Sequence, residues 1–400
     1  MNVLVLHRNF PGQFRHIVRH LVENGHRVVG IGNTQAPGLK GIPLVRYDSA
    51  TLKVEGHRHL KTVLSGVAHG EAVARIMTQL ASQGFTPNVV LAHPGWGEAL
   101  HVRDVYPHAR LVSLFEFYYH AEGVDVGFEP GSVADFELRA SLRCRNMLHL
   151  TNLELCDAGV SPTNWQKSLH PAAYHHKIDV VHEGVNTALM VPDASARYSL
   201  PDGRVLCHGD PVVTYVARNL EPYRGFHVFL RTLPEIQRRC PEAVTVIVGG
   251  DGVSYGQPPR DAPNWREKLL AEVGPQLDLS RVVFTGKIPY SDYRSLLQVS
   301  AAHVYLTYPF VLSWSALEAM SCGCLVLASD TPPVQEVIRH DESGRLFDFF
   351  DASALAALVQ DALARPEEFA QLRAAARQHI VSGYDIADGV ARYMALLSGL

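Results

Sequence analysis

Apolar residues along this chain fall in short runs separated by longer stretches of helical periodicity. Residues 3–6 form such a run and read as a strand buried on both faces. After Pro11-Gly12, the residues Phe14, Ile17, Val18, Leu21 and Val22 recur at helical spacing and stop at Asn24-Gly25. Residues 27–31 then read as a second strand, which completes a βαβ unit. The alternation continues with strands expected at 88–92, 110–115, 157–160 and 178–181. Such a series predicts a doubly wound α/β domain around a parallel sheet.

Between residues 186 and 210 the pattern changes. Pro192, Asp193, Pro201, Asp202, Gly203 and Gly209 cluster as turn formers. A second alternating series follows, with strands expected at 212–216, 245–248, 281–285, 303–306 and 325–328. The fold class expected is therefore α/β with two Rossmann-like doubly wound domains facing a central cleft. The division expected is 1–187, 188–375 and a helical segment 376–400 that packs back on the first domain; residues 366–400 read as mainly helical, with a break at Ser382-Gly383.

Composition narrows the function classes. A formal net charge of −4 in 400 residues gives no global basic field, so nucleic acid is not an expected partner. The six cysteines are dispersed, and Cys322-x-Cys324 lacks a second ligand pair, so they read as small hydrophobes in a reducing compartment and no metal is expected. The start MNVLVLHRNF has no signal-peptide pattern. The longest uncharged stretch, residues 304–317, is too short to cross a bilayer. A cytoplasmic protein is expected, with peripheral contact at the inner face of the membrane as a further expectation. That contact would use Arg15, His16, Arg19 and His20, which lie off the apolar face of the first helix.

Chemistry concentrates where strands end. In the second domain, Phe310 to Met320 joins a strand to a helix through Ser313, Trp314 and Ser315. Backbone N–H groups and hydroxyls there would converge on an anion. Glu318, one turn in, could accept hydrogen bonds from the vicinal hydroxyls of a ribose. Ser315-x-x-Glu318 is equally a capping box that satisfies the helix start with no ligand. Arg218 and Arg224 bracket the loop after the domain's first strand, where they would clamp a diphosphate or form surface ion pairs. Gly249-Gly250-Asp251-Gly252 does not match the dinucleotide fingerprint and reads as a turn, and no G-x-G-x-x-G follows a first strand, which counts against an NAD-dependent dehydrogenase. In the first domain, His93, Trp96 and Glu98 follow one strand, and Glu116 and His120 follow another, placing titratable and aromatic groups where a sugar acceptor would sit.

These segments resemble the retaining family 4 glycosyltransferases of the GT-B fold over most of the chain, most strongly in the second domain. Val282-Val283-Phe284-Thr285-Gly286 with Ile288-Pro289 is similar to the family's V-x-F-x-G-x-(V/I)-P segment. Glu318-Ala319-Met320, Cys322-Gly323 and Val326-x-Ala328-Ser329-Asp330 are similar to its EAMACGxPVVASD stretch, and Glu336-Val337-Ile338 and Ser343-Gly344-Arg345-Leu346 continue the match. Val181-His182-Glu183-Gly184-Val185-Asn186 resembles the IPNGVD joint between domains.

The resemblance implies roles position by position. Gly12 matches the glycine-bearing loop near the donor diphosphate. Arg218 matches the family's arginine there, and Arg224 stands where a lysine is usual. Lys287 and Ile288 go with the donor side, as do Ser313, Trp314 and Ser315. Glu318 matches the second glutamate of E-x(7)-E and would hold the ribose. His120 is the candidate for the first-domain histidine near the transferred sugar. The implied enzyme needs no bound metal or cofactor; the donor, a UDP, GDP or ADP sugar, is a co-substrate. Its acceptor would be a saccharide, a lipid-linked or a small molecule, attacking the donor sugar from the face that the leaving group departs. One position departs from the pattern: the first motif glutamate falls on Phe310, which cannot accept hydrogen bonds. That leaves two alternatives open, a nucleotide-sugar 2-epimerase drawing on Glu98, Glu116 and Glu183, or a non-catalytic nucleotide-sugar-binding protein.

Overall fold

A computed structural model describes residues 1–49 and 55–399, and these form two compact α/β units. The first comprises Met1–Gly184 and the C-terminal segment from Ile386; the second is Val185–Asp385.

The first unit has strands β1 (Asn2–Leu6), β2 (Arg27–Asn33), β3 (Leu44–Tyr47), β4 (Val89–Ala92), β5 (Arg110–Leu114), β6 (Ala158–Ser161) and β7 (Ile178–Val180). Among the described residues they form one parallel sheet in the order β3-β2-β1-β4-β5-β6-β7. The apolar run of β1 is split by its pleat. Val3 and Val5 pack with Ile17, Val18 and Leu21 of the helix Arg15–Glu23, while Leu4 and Leu6 pack with Val73 and Met77 of the helix Lys61–Ser82. A continuous hydrophobic run is therefore what a strand covered on both faces requires. Each such fully buried aliphatic side chain contributes about 1.5–3 kcal/mol. Val390, Tyr393 and Leu397 of the helix Ile386–Gly399 join the same layer as Ile17 and Leu21. Arg15 and Arg19 stay exposed on the outer side of their helix.

The second unit opens with an antiparallel hairpin, β8 (Arg197–Ser199) and β9 (Val205–Cys207), in the stretch whose composition suggested only turns. Its main sheet comprises β10 (Val212–Asn219), β11 (Val244–Gly250), β12 (Val282–Gly286), β13 (Ala302–Tyr305), β14 (Val326–Ser329) and β15 (Arg345–Phe347), ordered β12-β11-β10-β13-β14-β15. In each sheet the winding reverses beside the first strand, between β1 and β4 and between β10 and β13. The crevice at the carboxyl ends of those strands is where open α/β sheets bind ligands. Buried Cys322 and Cys324 pack in the apolar core of this unit, and all six cysteines are free.

The return to the first unit comes at Ile386 rather than at residue 376. Helix Ala370–Gly383 stays with the second unit because Ala376 and Ile380 bury against Ala316, Leu317 and Met320. Arg377 reinforces this: its guanidinium donates to the Met190 carbonyl at 3.0 Å and to the Ser321 carbonyl at 2.5 Å. Arg377→Met leaves both carbonyls without this donor, so urea unfolding of the second unit should begin at lower urea, its free energy of unfolding reduced by about 1–3 kcal/mol. An unchanged transition would show that helix Ala370–Gly383 is held by its apolar face alone.

Candidate functional site

At the carboxyl edge of the second sheet, β10 ends in Arg218 and Asn219 and leads into the short turn Pro222–Arg224. Gly225 closes that turn at φ +69°, and a Cβ there would lie 2.3 Å from the Leu306 side chain. Only glycine meets both demands. The turn directs Arg224 inward. Its guanidinium is buried, with Nη1 donating to Thr307 Oγ1 at 2.8 Å and to the Val311 carbonyl at 2.9 Å. Tyr255 lies against it, the guanidinium carbon 5.2 Å from the ring centroid. Among the described residues no carboxylate pairs with Arg224. Arg218 is exposed and likewise has no ion pair among them. Among the described residues neither arginine forms a structural salt bridge.

The Tyr255 loop is set by Glu221, a fully buried carboxylate absent from the sequence-based candidates. It accepts backbone hydrogen bonds from Ser254 at 2.9 Å, Tyr255 at 3.2 Å and Gly256 at 2.8 Å. A buried acid followed by an aromatic-glycine loop some thirty residues on carries no local signature that spacing alone would reveal.

The helix Trp314–Ser321 begins one strand away. Its N-cap is Ser313, whose Oγ accepts from the Ser315 N–H at 3.3 Å, and the Ser313 N–H donates to the Tyr305 hydroxyl at 2.8 Å. Because the cap is Ser313, Ser315-x-x-Glu318 is not a capping box. Glu318 instead accepts from the Tyr290 hydroxyl at 2.6 Å and the Tyr293 hydroxyl at 2.9 Å, one on each oxygen. Burial pushes its carboxyl above the ordinary range, and the two hydroxyls pull the other way. Trp314 remains partly exposed beside it. Lys287 follows β12, exposed, with its stem across Gly250 at the end of β11.

Phe310 is buried, its ring 4.8 Å from that of Tyr255 and 5.6 Å from that of Tyr223. The position carries an aromatic cluster where the expected motif has a carboxylate.

The carboxyl edge of the first sheet holds a different set. His7 ends β1, and its Nδ1 accepts from the Asn9 N–H at 3.0 Å, so Nε2 carries the proton and donates to Gln13 Oε1 at 2.7 Å. Gln13 in turn donates to Glu116 Oε1. His93 ends β4; its Nδ1 accepts from the Gly95 N–H at 3.2 Å and its Nε2 lies 3.0 Å from Glu116 Oε2. Trp96 stacks on His93 with centroids 4.2 Å apart. Gly12, at φ +52°, leaves room for this: a Cβ would lie 2.2 Å from the His7 ring. Burial works against ionisation of Glu116, but the hydrogen bonds from His93 and Gln13 outweigh it and hold the carboxyl below its ordinary range. Burial, with His93 alongside, pushes His7 down to about 3.

Two first-unit candidates part from this group. Glu98 is fully buried and takes the Tyr47 hydroxyl on Oε1, so it faces the interior and not an acceptor. His120 donates from Nε2 to the Leu169 carbonyl at 2.8 Å and lines a separate pocket of about 260 Å³ with Tyr118, Tyr119, Arg139, Arg143 and Asn146. Among the described residues no group of three or more His, Cys, Asp or Glu is placed to hold a metal ion, and no helix is long and apolar enough to cross a membrane.

The family described as "Glycosyl transferase family 4 group" matches residues 24–190, and that described as "Glycosyl transferases group 1" matches residues 204–379. The chain belongs to the group 1 glycosyltransferases.

A GDP-mannose-dependent alpha-(1-6)-phosphatidylinositol monomannoside mannosyltransferase of Mycolicibacterium smegmatis is 29% identical over 224 residues, 54% of this chain and 55% of the relative. With a D-inositol 3-phosphate glycosyltransferase of Rhodococcus jostii at 45% coverage, the alignments span about half the length of the first curated relatives this glycosyltransferase matches. Among solved structures, sucrose-phosphate synthase of Thermosynechococcus elongatus aligns with TM-score 0.74 at 17% identity, covering 100% of this chain and 98% of that one. Anabaena HepE in complex with UDP and glucose aligns with TM-score 0.70 at 16% identity over the whole of both chains. Both likenesses establish the GT-B fold.

This glycosyltransferase carries several buried neutral histidines. Burial holds His170 and His182 at about 4 and His303 at about 3. Below pH about 6.5 the unfolded chain takes up protons that the folded chain refuses. Stability should be insensitive to these groups above that pH and fall below it, by up to about 1.4 kcal/mol per pH unit for each. Melting temperatures measured from pH 7.5 to 5 should show this decline, and His7→Gln should make it shallower. An equally steep decline in the variant would mean that His7 is not excluded from protonation.

Proposed function

We propose that the chain transfers a glycosyl group from a nucleotide-diphosphate sugar with retention of anomeric configuration. The donor is held at the carboxyl edge of the second sheet, and acceptor-side groups come from the first unit. The observation that carries this reading is Arg224. A guanidinium removed from water needs an anion or a full set of acceptors, and Arg224 has two hydroxyls, a carbonyl and a ring face but no carboxylate among the described residues. A donor diphosphate supplies the missing charge, with Arg218 and Lys287 as exposed second and third cations on the same edge.

In this reading the ribose hydroxyls donate to lone pairs of Glu318 left free by Tyr290 and Tyr293. The bond between the anomeric carbon and the β-phosphate oxygen breaks, and an acceptor oxygen bonds to that carbon from the same face. The acceptor proton passes to the departing phosphate oxygen. Arg218 and Arg224 stabilise the charge on the leaving diphosphate. Ser313, Trp314 and Ser315 flank the donor. The relatives use different bases, GDP in the M. smegmatis enzyme's name and UDP in the HepE complex, so UDP-, GDP- and ADP-sugars belong in one panel. An epimerase reading finds little support: Glu98 is closed in with Tyr47, and Glu116 is fixed as an acceptor by two donors.

The test is nucleotide release from that panel with and without acceptor, followed by the anomeric configuration of the product. Release with an inverted product would sink the retaining assignment, and epimerised donor without acceptor would sink transfer altogether. Glu318→Gln should weaken nucleotide binding by roughly 1–3 kcal/mol. Unchanged affinity with a lower melting temperature would make Glu318 only an anchor for Tyr290 and Tyr293. Arg224→Met, which removes a buried charge while keeping bulk, should abolish nucleotide binding but leave the fold intact; preserved binding would refute the diphosphate assignment.

A further inference from the structure

The diphosphate chemistry leaves one part of the second unit unused, the series of aromatic side chains that continues from Arg224. Tyr255 lies over its guanidinium, and Phe310 packs against Tyr255 with ring centroids 4.8 Å apart. Tyr223 meets Phe310 edge-on at 5.6 Å and stacks on Tyr308 at 4.9 Å, and Tyr308 meets Phe349 at 5.4 Å. The ring nearest the cation is open to solvent: Tyr255 is 38% exposed, whereas Phe310 behind it is 7% exposed.

Tyr255 is fixed in that place from several sides. Glu221, itself fully buried, takes the N–H groups of Ser254, Tyr255 and Gly256. Asn219 donates to Ser254 Oγ at 2.8 Å, and Trp265 Nε1 donates to the Gln257 carbonyl at 2.9 Å. Gly256 suits the bend because a Cβ there would lie 3.2 Å from Glu221 Oε2 and 3.4 Å from the Tyr223 ring. Taking a carboxylate out of water to hold one loop is costly. An exposed ring does not need such anchoring in order to pack, but a ring that must present its face to a ligand does.

The place of the ring decides what it meets. In a nucleotide-diphosphate sugar the glycosyl group hangs from the second phosphate. A diphosphate held by Arg224 therefore brings that group beside the residue that covers Arg224. Tyr255 with Phe310 behind it offers aromatic faces, which suit C–H bonds. Hydrogen-bond acceptors around it are already engaged. Glu221 is spent on amides, Thr307 and the Val311 carbonyl take Arg224 protons, and Glu318 lies with Tyr290 and Tyr293. A sugar hydroxyl turned onto this wall gives up a water partner and gains none, while a hydrogen or methyl group there loses nothing. Apolar surfaces of this kind reject an added hydroxyl by up to about a hundredfold. An N-acetyl group fits less well, since its amide N–H also needs an acceptor.

We infer that Tyr255, backed by Phe310, selects the transferred group, and that this group is a deoxy sugar carrying hydrogen in place of a hydroxyl on the edge that meets the ring. The inference rests on the donor reading of the β10 edge proposed above.

The full chain is titrated calorimetrically with donors that differ by one oxygen. UDP-glucose and GDP-mannose are each compared with their singly deoxygenated forms at carbons 2, 3, 4 and 6, with UDP-N-acetylglucosamine, UDP and GDP alongside. Base preference cancels within each pair. At least one deoxy donor is expected to bind about tenfold or more tighter than its parent. Tyr255→Phe should keep that ratio and Tyr255→Ala should bring it close to one, whatever either does to nucleotide affinity as a whole. Phe310→Gln, which puts an amide behind the ring, should move the ratio toward the parent sugar. If that buried change unfolds the chain, the two variants at exposed Tyr255 still decide. Parent sugars bound as tightly as every deoxy form would overturn the deoxy class, as would a preference for UDP-N-acetylglucosamine over all of them. A ratio unchanged in Tyr255→Ala would remove Tyr255 as the selecting residue. Either result, with UDP or GDP still bound, leaves the donor site standing. Binding of neither nucleotide nor any sugar form would overturn the donor site itself, and this inference with it.

Discussion

A guanidinium taken out of water costs several kcal/mol unless the protein returns comparable electrostatic stabilisation, and much of the second unit is arranged around doing this for Arg224. The carboxyl end of β10 and the left-handed Gly225 point the side chain inward. Thr307 and the Val311 carbonyl receive its protons. Glu221, through three backbone N–H groups, sets the loop that places Tyr255 over its face. Every one of those partners is a dipole or a quadrupole. Dipoles orient a cation and offset part of its desolvation, but they leave its net charge in place, so the edge stays positive in the direction of Arg218 and Lys287. A buried carboxylate beside Arg224 would have given the same packing and erased that field. Glu221 is the nearest acid in sequence, and it is spent on backbone amides.

The first unit uses the same strand order to opposite electrical effect. Its carboxyl edge carries a carboxylate held by neutral donors. Both histidines have their Nδ1 atoms fixed as acceptors by backbone N–H groups, which commits each Nε2–H to the Gln13–Glu116 chain. Such a chain is directional: the protons point from His7 and His93 toward Glu116, and none points back. Gly12 belongs to this device as much as to any ligand, since a side chain there would displace the imidazole that starts the chain.

The two doubly wound sheets were legible in the sequence because buried parallel strands must be continuously apolar. What escaped was what that rule does not cover. β3 and β15 are edge strands, half-exposed and carrying Arg46 and Arg345, and β8 and β9 sit among prolines and glycines. At the site, most of the residues found lie next to a strand end, although His7 and Glu221, just past β1 and β10, were passed over. Tyr255 and Tyr290 act through partners brought together by the fold, and nothing in their local spacing marks them. Glu98 shows the converse error. It follows a strand end as His93 does, but the left-handed Gly97 between them turns the chain, and the carboxylate points into the core toward Tyr47.

Glu318 shows how small a difference in register separates a structural role from a chemical one. A helix capped at Ser315 would put Glu318 at the third helical position, where its carboxylate folds back on the cap. Capping at Ser313 adds two residues before it, and at 100° per residue this turns Glu318 by about 200° around the helix axis. The carboxylate then faces away from the cap, toward the helix Tyr290–Val299, where Tyr290 and Tyr293 are three residues apart and so share a face. What selects the earlier cap is Tyr305, whose hydroxyl takes the Ser313 N–H while also approaching Arg224 Nη1 at 3.4 Å. The buried arginine and the glutamate are thus coupled through one tyrosine: the contacts that hold the cation also set the helix register that frees the carboxylate.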